Sequence, residues 1–140
     1  MVVVAVVSGT TKEEHVLLEA AGRAADLGTD VHVLYVLGLG WYANLEVHLS
    51  DRVGIPTGLE TIRGICESRA NRIAAPLLDE YVPAGRIGRP IEEIVQYADE
   101  VCAHAVVVDA DVDWGAGLDS VRHDPIEQLR AEGVPVVPVH

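Results

Sequence analysis

The sequence predicts an α/β domain: a doubly wound, open, parallel sheet of about five strands alternating with about four helices, in a single unit spanning residues 1–140. Three observations predict it. Short runs of branched apolar residues recur along the chain, each too brief for a helix and lacking the polar alternation of a one-sided strand. Between them lie segments whose apolar residues repeat at helical spacing. The junctions carry Gly, Pro or a capping residue, and strand, helix, strand order with short connections implies right-handed parallel crossovers. A chain of 140 residues is the usual size of one domain.

Val2 to Val7 is the first strand, closed by Ser8-Gly9, and its unbroken apolar character places it inside the sheet with both faces covered. Thr11 and Glu14 read as a capping box opening a helix. Its inward face is Val16, Leu17, Ala20, Ala21, Ala24 and Leu27, and Gly28 is placed to end it in a left-handed turn. Val31 to Leu37 is the second strand. Gly38 to Gly58, with Trp41, Tyr42 and Pro56, reads as an excursion holding a short helical piece, with Trp41 and Tyr42 packing on the sheet edge or capping the pocket mouth.

A longer helix runs from about Leu59 to Ala75 and stops at Pro76. Tyr81 to Ile87 is a third strand, and Pro83 assigns it to a sheet edge. Pro90 suits the first turn of a third helix with Ile91, Ile94, Val95, Ala98, Val101 and Cys102 on one face. Ala105 to Val108 is a buried strand. Asp124 N-caps a fourth helix with Pro125 in its first turn, Gly133 ends it, and Val134 to Val139 is the last strand.

Composition narrows the function classes. Apolar types make 49% of the chain and charged types 23%, which excludes a disordered or low-complexity protein. The formal charge of −12 argues against a nucleic acid or an anionic membrane as partner. Lys12 is the sole lysine among 10 basic residues and Phe is absent, a halophile-like balance suited to solvents where salt screens charge within roughly 3 Å at 1 M. Cys66 and Cys102 lack metal or redox spacing and read as buried free thiols in helices. The opening MVVVAVVSGT has no basic leader and is too short to span a bilayer, so a cytoplasmic protein is expected.

In open α/β sheets ligands bind beyond the carboxyl ends of the strands, at the point where strand order reverses, which directs attention to 8–11 and 109–123. Asp109, Asp111 and Asp113 alternate as in a calcium loop, but Trp114 stands where the loop glycine is needed and Ser120 where a bidentate Glu is needed. A solvated acidic loop is the reading these residues support, with no metal site. Arg122 and His123 precede the fourth helix, where a small anion could dock. His15, His32, His48, His104, His123 and His140 are scattered without HxxxH or HExxH spacing. Ser8 and Ser120 lack the GxSxG elbow, and Ser8-Gly9-Thr10-Thr11 has neither the lysine nor the spacing of a P-loop. A receiver domain would need an acidic pair after strand one and a late lysine, and a dinucleotide fold more glycines than Gly9. No catalysis is predicted.

The order of elements, with VVVAVVSGT, LGTDVHVLYVL, GRPIEEIVQYADEVCAHAVVVDAD and GVPVVPV, resembles the universal stress protein family over most of the chain except 38–87. The resemblance implies the adenine nucleotide alpha hydrolase-like strand order 3-2-1-4-5, homodimers formed by pairing of the last strands, and, in one subgroup, ATP bound across strands one and four. That subgroup has an Asp ending strand one and glycines spaced two and nine residues apart after strand four. Here Val7 replaces the Asp, the glycine positions fall on Asp109, Val112 and Arg122, and His123 stands where Ser or Thr is expected. Phosphate oxygens need close backbone approach, which a Cβ at those positions hinders.

By this resemblance a ligand site would draw on Val7, Ser8, Gly9, Thr10 and Val36, and on Asp109, Ala110, Asp111, Gly115, Arg122 and His123. The expectation is a regulatory or binding domain of the stress response without a cofactor, acting through protein contacts. The alternatives are an ATP- or AMP-dependent switch with a divergent loop, and a small-anion or metabolite sensor. A homodimer is expected, yet Pro135 and Pro138 each remove a donor from one side of the last strand and weaken pairing there.

Overall fold

The computed structural model describes residues 2–7, 13–38, 59–111 and 124–140. The elements are β1 (Val2–Val7), α1 (Glu13–Leu27), β2 (Asp30–Gly38), α2 (Leu59–Ala74), β3 (Val82–Gly88), α3 (Pro90–Glu100), β4 (Ala103–Asp109), α4 (Pro125–Ala131) and β5 (Val136–Val139). All pairings are parallel, in the order β3-β2-β1-β4-β5. This is the doubly wound sheet with the predicted order, and β3, the strand carrying Pro83, lies at an edge.

Each strand sends alternate side chains to opposite faces. Val3, Ala5 and Val7 of β1 pack with Val16, Leu17, Ala20 and Ala24 of α1 and with Ala70 and Ala74 of α2. Val4 and Val6 pack on the other face with Ile94, Tyr97 and Ala98 of α3 and Ile126 and Leu129 of α4. The central strands β1 and β4 are thus covered on both sides, which is why their sequences are continuous apolar runs. Leu17, Leu34, Ile62, Ile94 and Leu129 anchor the core with no exposed surface. Truncating any of them to Ala would cost about 2–5 kcal/mol.

The ends of the elements follow their predicted signals. Gly28 takes φ +65 after α1, where the Thr29 N–H donates to the Ala24 carbonyl at 3.0 Å. Pro90 occupies the first turn of α3, and the Asp124 carboxylate accepts the Ile126 N–H at 2.9 Å to open α4. Three expectations fail. Leu27 is exposed although it lies on the buried stripe, because it is the last residue of α1, one turn beyond the buried Ala24. Cys102 lies beyond α3 rather than on its face, whereas Val101, the C-cap, packs against the same core as Ile94 and Ala98. Cys102 is exposed with φ +54, a backbone turn into β4 that helical periodicity does not register; Cys66 is buried as expected. Thr11 of the capping box and the excursion with Trp41 and Tyr42 lie outside the described residues. Among the described residues no helix is long and apolar enough to cross a membrane.

Candidate functional site

The parallel registers line up one row of residues across the carboxyl end of the sheet. Gly85 of β3 pairs with Tyr35 of β2, Tyr35 with Val7 of β1, and Asp109 of β4 with Val139 of β5. The β1 to β4 pairing runs as far as Ala5 with Val107, two residues before Val7 and Asp109, the predicted site residues that end these neighbouring strands. Val36 is not with them: its side chain belongs to the core under α3 and α4. Val7 and Val36 are both buried in these cores, so their side chains serve packing.

Asp109 is the one charged residue buried among the described residues, 8% exposed. Burying a carboxylate is tolerated where hydrogen bonds hold it, and its Oδ1 accepts the Asp111 N–H at 2.9 Å. The neighbouring Ala110 N–H donates to the Val139 carbonyl at 2.8 Å. Two successive amides at the end of β4, the kind of group that would cradle a phosphate, are thus engaged inside the chain. Ala110 is half-buried and Asp111 exposed. Ser8, Gly9, Thr10, Gly115, Arg122 and His123 lie outside the described residues. The Ile126 N–H at the start of α4 is engaged by Asp124.

Residues not singled out by the sequence complete the row. The Arg69 guanidinium of α2 lies 5.9 Å from the Tyr35 ring centroid, and its Nη1 is 3.5 Å from the Tyr35 hydroxyl. Gly85 lets α2 approach β3 so closely that an added Cβ would stand 2.6 Å from Arg63 O, Cys66 Cβ and Glu67 N. A Gly within a strand is the available signal for such an approach; the Tyr35 and Arg69 pair, on separate elements, left none.

A second polar cluster lies about 10 Å toward the amino end of β2, three residues before Tyr35. His32 Nδ1 and the Tyr97 hydroxyl share a hydrogen bond of 2.6 Å. Arg86 stacks 5.0 Å over the Tyr97 ring and pairs with Glu100 at 2.8 Å. Burial pushes the His32 ring below its ordinary pKa, against the opposing pull of Asp30. Burial likewise raises the Tyr97 hydroxyl, with Arg86 opposing, so both partners are held neutral. Nearby, an open concavity of about 410 Å³ is lined by Val95, Asp99, Cys102, Glu132, Val134 and Pro135. Among the described residues no group of three His, Cys, Asp or Glu side chains gathers to hold a metal.

No family model and no curated protein matches the chain. Solved structures do. A universal stress protein in complex with cAMP aligns over 100% of this chain and 96% of its own, with TM-score 0.63 and 18% identity. The Archaeoglobus fulgidus universal stress protein in complex with dAMP covers 100% and 98%, with TM-score 0.59 and 23% identity. UspA from Lactobacillus plantarum covers 99% and 96%, with TM-score 0.61 and 14% identity. With its strand order and its helices on both faces, this chain has the fold of the universal stress proteins.

Proposed function

We propose that residues 1–140 form a universal stress protein-type regulatory domain that binds protein partners, acts as a cytoplasmic homodimer, and neither catalyses a reaction nor takes ATP in the manner of the nucleotide-binding members. One observation carries this reading: the Asp109 carboxylate, buried at the end of β4, holds the Asp111 amide. A carboxylate engaged with the chain's own amide stands where the resemblance puts the first glycine of the phosphate loop, and a Cβ there hinders the close backbone approach that a phosphate needs.

The second reading is a nucleotide switch, favoured by the cAMP and dAMP complexes among the structural neighbours. A nucleoside monophosphate presents less charge to Asp109 than a triphosphate does, so the two readings separate by ligand. Calorimetric titration of the protein in molar salt with magnesium, using ATP, AMP and inorganic phosphate in turn, tests them. No heat from any of the three is the expected result. Micromolar affinity for ATP overturns the proposal, and affinity for AMP alone moves the switch to first place.

A further inference from the structure

β5 closes one edge of the sheet, and among the described residues its one ladder neighbour is β4. Such an edge offers a row of amides and carbonyls to any incoming strand. The side each group faces follows from the register. Val106 and Ala110 donate to the carbonyls of Pro135 and Val139 at 2.9 and 2.8 Å, and Val106 pairs with Val136 as Val108 does with Pro138. In a parallel ladder this arrangement turns the backbone groups of Val136 and Pro138 away from β4, toward the open side. Pro138 has no N–H to offer there. The Val136 N–H is turned back onto the Val134 carbonyl at 2.8 Å. The open side of β5 therefore presents carbonyls with no free donor along the strand.

We infer that Pro138 closes the β5 edge to strand addition by a second copy of this chain. A two-fold pairing needs the same edge to supply both donors and acceptors. With the two-fold axis at Pro138, the central pair would exchange two N–H groups that neither proline has. With the axis at Val137, each Pro138 faces a Val136 and again gives no donor, while Val136 must first release Val134. Pro135 is different, since it lies on the β4 side and uses only its carbonyl. The inference deepens the homodimer reading above by stating where that dimer does not form.

Sedimentation equilibrium in molar KCl on wild type, Pro138→Val and Pro135→Val tests it, with amide hydrogen exchange at Val136 and His140 followed against protein concentration. The expected result is self-association at least tenfold tighter in Pro138→Val, with His140 protection rising with concentration, while Pro135→Val behaves as wild type. Pro138→Thr repeats the test if the valine variant misfolds. The inference is overturned if neither Pro138 variant associates more tightly than wild type, or if the wild-type edge amides gain protection with concentration. A monomeric wild type with a dimeric Pro138→Val breaks the homodimer reading and leaves this inference standing.

Discussion

The two ends of the sheet satisfy their polar groups in opposite ways. At the carboxyl end Asp109 reaches two residues along its own chain to Asp111, and Ala110 bonds the adjacent strand. Toward the amino end His32 bonds Tyr97 across 65 residues of sequence, and Arg86, registered with Val36 in the carboxyl half of the sheet, reaches back over that tyrosine to Glu100. The first arrangement engages two successive amides at the end of β4; the second fastens α3 to β2. Where a polar group finds its partner thus separates a strand end that satisfies its amides locally from a clamp between distant elements.

Gly85→Ala gives the largest effect. The new methyl meets the backbone of α2 at Arg63 and Glu67, which cannot yield as a flexible side chain would, so a loss of about 3 kcal/mol in denaturant unfolding is expected. Because Gly85 shares the carboxyl row with Tyr35, the Tyr35 resonances should shift most; those of Tyr97 should shift less, through Arg86, which bonds the Gly85 carbonyl and stacks on that ring. Equal disturbance at both ends would break the comparison.

Tyr97→Phe is next, expected to cost about 1–2 kcal/mol by leaving the half-buried His32 ring without its partner, with the Asp111 amide unmoved. Acidification acts on the same clamp more weakly. Because the folded His32 pKa is depressed, the unfolded chain binds the proton more readily. The stabilising term is complete above about pH 6.5 and is lost as pH falls through 6.5 toward the folded value. Chemical denaturation between pH 7.5 and 5 should show this slope in wild type and a shallower one in His32→Gln; equal slopes would remove His32 from the account.

Much of this was legible in the sequence where the signal is local. The apolar runs gave β1 and β4, Gly28 and Asp124 marked helix ends, and Pro83 marked an edge strand. Asp109 stood out because it falls on an expected glycine position. What stayed illegible depends on partners distant in sequence: the His32 and Tyr97 bond, Arg69 over Tyr35, and the helix that makes Gly85 necessary. Cys102 shows the same limit locally, since apolar spacing continued the helix while the backbone turned to φ +54.

The central claim is that the amides at the end of β4 are held by the chain's own carboxylate and carbonyl. Amide resonances of Ala110 and Asp111, followed by NMR while ATP with magnesium is added in molar salt, test it most directly. Unchanged shifts and unchanged exchange protection at both residues are predicted. Saturable shifts at Asp111, with the Asp109 carboxylate displaced from it, would contradict the account.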